Sequence, residues 1–478
     1  MTFEHIFTSL NGVFAGFIAF YLVALTAITA IITYAAAKTL QDDKKFEPLR
    51  DLNVVMRSPL CAPITLIAPA FNEEKTIVES VHSLLKLRYG RFEVIVVNDG
   101  SNDATLRRLI EEFSLVRETY NRESIIPTKP VSAVYFSTQP HFRHLIVIDK
   151  ENGGKADALN SGINYSRYPY FCAIDADSLL ESDALLRIMQ PFYDDETTVA
   201  TGGVLRLVNA CSVNRGHITE VSMGRSLIVW MQTVEYIRSF QFARCGWDAV
   251  KGLLVISGAF GMFRKDVVLE IGGYRADSVG EDIEIVVRLH RHLREIKRPY
   301  RVSFVPSAIC WTQAPPTVRA LRRQRDRWQR GLFHTMLIHH KLIFNPTYGV
   351  IGMLAAPFVL FYELCGPWIE FAGFLAFVGA TYYGLLNSDV FILLLGTSIF
   401  LGVSLTLCIV GLEEAIYTQF TSMRDTLKLT AAVFLETIGF RQMNSFWRGI
   451  AMIEYLFGKK TWGNVQRARF KRSKPTPP

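Results

Sequence analysis

Two aspartates one residue apart, Asp175-Ala176-Asp177, follow the apolar run YFCAI. Hard divalent cations such as Mg2+ and Mn2+ take carboxylate and phosphate oxygens, so such a pair suits a metal that neutralises a leaving diphosphate. The same pattern occurs at ordinary turns and helix caps, and its meaning depends on its company. Asp99 closes another apolar run in Asn98-Asp99-Gly100-Ser101, which alone reads as a turn. Lys155 follows two glycines and opens the helical stretch KADALNSGINYS, where an ammonium and a helix N-terminus both favour an anion; a solvated surface lysine fits the same letters. Gly280-Glu281-Asp282 precedes the helical IEIVVRLHRHL. Its acids are either caps or, at Asp282, a general base taking a proton from a hydroxyl nucleophile. Gln324-Arg325-Asp326-Arg327-Trp328 lies in a very basic helix. It reads either as a juxtamembrane charge run or as a guanidinium fork for diphosphate beside a tryptophan face for a sugar ring.

These residues need a scaffold that brings them together. ITLIAPAF, FEVIVVND, LIVIDK and YFCAIDAD read as buried strands, separated by the helical patterns EEKTIVESVHSLLKL and KADALNSGINYS. Such alternation predicts an α/β domain with a mostly parallel sheet, which binds ligands outside the carboxyl ends of its strands. Those ends carry Phe71-Asn72-Glu73, Asn98-Asp99-Gly100, Asp149-Lys150 and Asp175-Ala176-Asp177. The span from Arg117 to Arg143, with Pro127, Pro130 and Pro140, is longer than an ordinary loop and is expected to wrap over the domain surface. Gly216 to Gly252 reads as amphipathic helix rich in aromatics and arginine, either on a membrane surface or inside the domain.

The chain has 478 residues, half of them hydrophobic, with an apolar block near the N-terminus and a second apolar region after about residue 348. Gly12 to Ala37 contains no ionisable side chain except two tyrosines and is long enough to cross a bilayer, which takes roughly 20 residues. A signal peptide fits poorly, because Glu4 precedes the block and Lys38, Lys44, Lys45 and Arg50 follow it. The positive-inside rule then places the N-terminus outside and the middle domain in the cytoplasm. Phe371–Tyr383 and Val390–Val410 read as further spans joined at Asn387-Ser388-Asp389. Gly349–Cys365 reads as a kinked span or interfacial segment, and Leu427–Phe457 as a helix lying at the interface. Three or five spans return the basic end of the chain to the cytoplasm, and four do not. The net charge of +8 is concentrated beside these segments, at Arg319–Arg330 and Arg467–Lys474, which favours lipid headgroups over nucleic acid. The seven dispersed cysteines show neither a disulfide framework nor metal-ligand spacing and read as reduced core residues.

From Ala62 to Gly331 the ordered set resembles the family-2 glycosyltransferases of GT-A fold, in particular the processive membrane synthases of poly-N-acetylglucosamine, cellulose and hyaluronan. The resemblance implies donor contacts at Phe71, Glu73, Asp99, Lys155 and Asp175, with Gln324 and Arg327 on the diphosphate side. It implies metal ligation by Asp177 with Asp175, the base at Asp282, and acceptor contacts at Ser257, Gly258, Glu281 and Trp328. The implied organisation is an N-terminal transmembrane helix (1–40), a linker (41–61), a GT-A domain with acceptor helices (62–335), a transmembrane or interfacial region (336–415), and interfacial helices with a basic tail (416–478). No appended regulatory domain is expected.

Implied partners are a UDP-sugar donor, a glycan or lipid-linked acceptor, membrane lipids, Mg2+ or Mn2+, and export or accessory subunits, at a bacterial inner membrane. Gly280 stands where the cellulose branch carries threonine, which argues against cellulose and toward N-acetylglucosamine or another branch. The long span before Arg143 is a second departure. The expected reaction is a single inverting displacement. Alternatives are a transferase adding one sugar to a lipid carrier and a nucleotide-sugar-binding regulatory subunit.

Overall fold

The computed structural model describes residues 3–46, 52–120, 122, 124–214, 217–384 and 388–458. Arg50, Asn387 and the basic Arg467–Lys474 tail lie outside the described residues.

Twelve strands are described: β1 Ile64–Ala70, β2 Phe92–Asp99, β3 Leu115–Glu118, β4 Val131–Ser137, β5 Leu145–Lys150, β6 Tyr170–Ile174, β7 Leu179–Leu180, β8 Thr198–Leu207, β9 Ser212–Asn214, β10 His217–Glu220, β11 Phe260–Arg264 and β12 Arg301–Thr312. Ten of them form one sheet in the order β3-β4-β5-β2-β1-β6-β11-β8-β12-β7, and β9 and β10 pair separately. β5, β2, β1 and β6 pair in parallel, as do β8 and β12. β11 is antiparallel to both β6 and β8, β7 to β12, and β4 to both β3 and β5, so the sheet is mostly parallel with β4, β7 and β11 reversed. Alternate residues of the central strands feed two cores. Ile67, Ile95, Val97, Ile146 and Ile148 enter one. Leu66, Val94, Val96, Leu145 and Val147 enter the other. With both faces covered, these strands read as continuous apolar runs.

The span from Arg117 to Arg143 is not simply a loop over the surface. β3 and β4 form a hairpin that extends the sheet at β5. The intervening chain is pinned to the helix Lys155–Tyr165: Asn164 Oδ1 accepts from the Ile126 amide at 3.0 Å, and Asp157 Oδ2 from the Lys129 amide at 3.0 Å. The insert thus braces the helix that Lys155 opens. Within Gly216–Gly252, β10 precedes the helices Leu227–Glu235 and Ala243–Ala249, joined by a π-helical turn at Tyr236–Phe242. Val234, Ile237, Phe242 and Cys245 are core residues, which decides for the interior placement.

Two helical stretches are long and apolar enough to cross a membrane, Gly16–Lys45 and Leu395–Tyr417. A third span exists if Ile351–Leu364 and Gly366–Tyr382, bent by 44°, count as one. The segment read as an interfacial helix is two helices, Met423–Leu435 and Arg441–Leu456, broken where Gly439 adopts φ 102°. Its arginines turn inward: Arg441 pairs with Glu436 at 3.0 Å and Arg448 with Glu363 at 2.5 Å. Of the cysteines, five are buried as expected, Cys365 is half-buried and Cys408 is exposed.

Candidate active site

The carboxyl ends of β1, β2, β5 and β6 open into one cavity of about 1620 Å3. Its lining includes Phe71, Glu73, Asp99, Lys155, Asp175, Ser257, Gly258, Glu281, Asp282, Gln324, Arg327 and Trp328. Residues from Ala70 to Trp328 therefore converge on one space, as an open α/β sheet allows.

The strand-end edge is tightly tied. Phe71 is 43% exposed beside Asn72, whose backbone is left-handed at φ 57°. The Asn72 amide donates to Ser101 Oγ at 3.0 Å and Asn72 Oδ1 accepts from the Asn102 amide at 2.9 Å, linking two strand ends. Glu73 is buried; its amide donates to Thr105 Oγ1 at 2.8 Å and its carboxylate accepts from Thr76 Oγ1 at 3.0 Å. Asp99 is buried and its oxygens accept from Lys150 Nζ at 2.8 Å and from the Gly153 and Gly154 amides at 3.0 and 2.8 Å. Lys150 in turn sits 2.5 Å from Asp157. Asp99 thereby moulds the loop that launches the Lys155 helix, and its polar partners are protein groups. The sequence places Lys150 at a strand end but carries no signal for its pairing with Asp99 and Asp157, since nothing in the spacing separates a buried lysine from a solvated one.

Lys155 Nζ lies 2.5 Å from Asp175 Oδ1, 3.2 Å from the Gly258 carbonyl and 3.6 Å from Glu281 Oε1. Burial works against its charge, but Asp175 and Glu281 outweigh it and hold the ammonium above its ordinary value. Asp177 stands beside the cavity wall, half-buried. Burial, with Asp175 next in weight, pushes its carboxyl up to about 7, while Lys155 and Arg327 pull it down. Burial likewise raises Glu281, with Lys155 opposing. This carboxylate excess has the donor chemistry of a hard divalent cation. Among the described residues no group of three or more His, Cys, Asp or Glu is placed to hold a metal ion, so a cation here would take phosphate oxygens or water as further ligands.

Asp282 stands at the first turn of the helix Glu281–Glu295, and its Oδ2 accepts from the Gly258 amide at 3.2 Å. A Cβ at Gly258 would lie 3.0 Å from Lys155 Nζ and 3.2 Å from Asp282 Cβ, so glycine lets three motifs meet. The helix Val318–Ile338 approaches from the other side. A Cβ at Gly280 would lie 3.0 Å from Gly331 Cα, and one at Gly331 would lie 2.8 Å from Gly280 Cα. Gly280 is therefore a close-packing residue here, and its partner Gly331 carried no signal in the sequence. On the Val318–Ile338 helix, Arg325 pairs with Glu235 at 2.5 Å and lies 4.3 Å from the Trp328 ring. The Trp328 and Phe240 rings are 5.5 Å apart. Gln324 Oε1 is buried without a hydrogen-bond partner.

Residues 62–331 match the family described as glycosyltransferase like family 2. The chain belongs to that family. Curated relatives include poly-beta-1,6-N-acetyl-D-glucosamine synthases of Staphylococcus aureus, 29% identical over 275 residues, and of Staphylococcus epidermidis, 27% identical over 275 residues. The match covers 57% of this chain, and the chain spans 55% of the length of those relatives. Among solved structures, a mannosyltransferase from Pyrobaculum calidifontis in complex with GDP-Man and Mn2+ aligns at TM-score 0.49 with 18% identity, over 88% of this chain and 99% of that one.

Proposed function

We propose that this family-2 glycosyltransferase extends a β-linked polysaccharide processively at the cytoplasmic face of a bacterial inner membrane, using a UDP-sugar, with UDP-N-acetylglucosamine favoured over UDP-glucose. The observation that carries the reading is the continuity of the cavity. Beyond Asp282 and Trp328 it reaches Thr26, Thr29 and Thr33 of the helix Phe3–Phe46 and Thr397, Ser398 and Thr406 of the helix Ser388–Tyr417. A hydroxyl-bearing passage from the transfer site toward the apolar helices gives a growing chain somewhere to go. The relation to poly-N-acetylglucosamine synthases favours the donor.

In this reading the strand-end edge is the donor side and the Asp282–Trp328 wall the acceptor side. The donor lies across Phe71, Asp99 and Lys155, with Asp175, Gln324 and Arg327 around its diphosphate. Asp177 with Asp175 would hold Mg2+ or Mn2+, which when bound supplies charge neutralisation for the departing diphosphate. Asp282, fixed by the Gly258 amide, accepts the proton of an acceptor hydroxyl whose sugar rests on Trp328 near Ser257, Gly258 and Glu281. The hydroxyl oxygen bonds to the anomeric carbon as the bond from that carbon to the phosphate oxygen breaks, and UDP leaves with the electron pair. One displacement inverts the centre, so an α-linked donor yields a β-linkage. General-base assistance is worth about 100- to 10,000-fold.

Asp282→Asn should therefore lower transfer by about that factor while UDP affinity changes by less than about twofold. Transfer would be read as UDP release from UDP-N-acetylglucosamine, UDP-glucose and UDP-glucuronate with Mn2+ or Mg2+, alongside gel sizing of product. A long product with one donor supports processive synthesis. A product stopping at one added sugar overturns it, and wild-type turnover after Asp282→Asn removes Asp282 from the mechanism.

A further inference from the structure

Other arginines around the cavity come with carboxylates: the buried Arg325 with Glu235 at 2.5 Å, and the partly exposed Arg238 and Arg441 with Glu436 at 2.8 and 3.0 Å and Arg448 with Glu363 at 2.5 Å. Arg244 does not. It lines the same cavity and is only 8% exposed, yet among the described residues it has no ion pair, and its Nη1 is buried without a hydrogen-bond partner. Its guanidinium carbon lies 4.6 Å from the centre of the Phe240 ring, and Phe240 packs on Trp328. Burial lowers its pKa to about 10, with Asp282 opposing the fall, so it remains charged at neutral pH. A buried, charged group left unpaired is costly, and a cavity wall that keeps one is short of an anion.

We propose that Arg244 is an oxyanion subsite on the acceptor side, taking a carboxylate or phosphate carried by the acceptor glycan. A planar guanidinium fork matches either group in two parallel hydrogen bonds. The donor diphosphate is a poor candidate, since its binding groups, Lys155 and Arg327, sit with Asp175 and Asp177 at the strand ends. Through Phe240 and Trp328 the fork is instead joined to the face on which an acceptor sugar rests. The anion would thus be read within a sugar or two of the transfer point. This inference rests on the transferase reading for its choice of acceptor, while its test needs no turnover.

The test measures binding by tryptophan fluorescence with the full chain in detergent and no donor present. The probes are a neutral N-acetylglucosamine tetramer, an alternating glucuronate–N-acetylglucosamine tetramer, and the neutral tetramer bearing a terminal phosphate. The wild type should bind one anionic probe at least tenfold more tightly than the neutral one, and which probe wins identifies carboxylate or phosphate as the source. Arg244→Gln should erase that preference, and Arg244→Lys should keep part of it, while UDP affinity stays within twofold in both. Equal binding of all three probes by the wild type overturns the proposal, as does a preference that survives Arg244→Gln. Failure of transfer with every donor, with the anion preference intact, would count against the synthase reading and leave the subsite standing.

Discussion

At the strand-end edge, Asp99 and Asp157 share the ammonium of Lys150 within a few residues of the strands that carry them. Across the cavity, charges meet partners far along the chain: Arg325 with Glu235, Arg238 with Glu436, and Arg448 with Glu363. The first region is a local device built from adjacent loops of a parallel sheet. The second is an assembly of helices from the catalytic domain and the apolar region, and it holds only once all of them are packed. The buried Asp99–Lys150–Asp157 cluster should accordingly answer mutation through stability, and the residues that face the cavity through transfer.

The sharpest break of that contrast is Lys150→Met. It strands Asp99 and Asp157 as buried carboxylates without their cation and should cost about 3–5 kcal/mol, read as a lower unfolding midpoint in detergent. Lys155→Met, at a side chain 22% exposed, should leave the midpoint much closer to wild type and instead raise the donor KM. Equal losses of stability would erase the distinction between a structural and a ligand-facing lysine.

A second effect is set by pH. His290 Nε2 donates to the Leu253 carbonyl and its Nδ1 pairs with the Tyr300 hydroxyl, both at 2.8 Å, and burial pushes it down to about 4, with Arg294 adding to the fall. The unfolded chain takes up a proton near 6.5 that the folded form refuses, so this contribution is whole above pH 6.5 and lost as pH falls toward 4. The loss should approach about 3 kcal/mol. Unfolding midpoints from pH 7 to 4 should fall more steeply for the wild type than for His290→Gln, and parallel curves would refute it.

Gly331→Ala tests the far wall. In an open helix the change would stabilise by about 1 kcal/mol. Here the new Cβ meets the Gly280 backbone at 2.8 Å, so helix and loop must part and Asp282 moves with them. Transfer should fall about tenfold or more with UDP binding retained, since small misplacement of catalytic groups is costly. The smallest effect belongs to Arg275→Ala. Its pair with Asp277 at 2.7 Å is exposed on both sides, and its loss should change stability by less than about 0.5 kcal/mol.

The strand-end motifs were legible because each is contiguous with the apolar run that positions it. ITLIAPAF and FEVIVVND became β1 and β2, with Phe71 and Asp99 at their ends. The Arg117–Arg143 span was not legible, because β4 is a reversed strand, second from the sheet edge, whose pairing with β3 and β5 no local pattern announces. The two-helix break at Gly439 was hidden for a similar reason: the apolar spacing continues across it.

What the sequence by itself determined is the α/β class, the order of the motifs, the family and the existence of apolar helices, since each depends on composition or on residues adjacent in the chain. Only the tertiary structure decided that Gly280 must meet Gly331, that Asp99 is held by Lys150, and that Arg244 faces the cavity with no ion pair among the described residues. Those facts depend on which distant backbones touch and which charges lose water together. Both are properties of packing, and neither leaves a mark in local spacing.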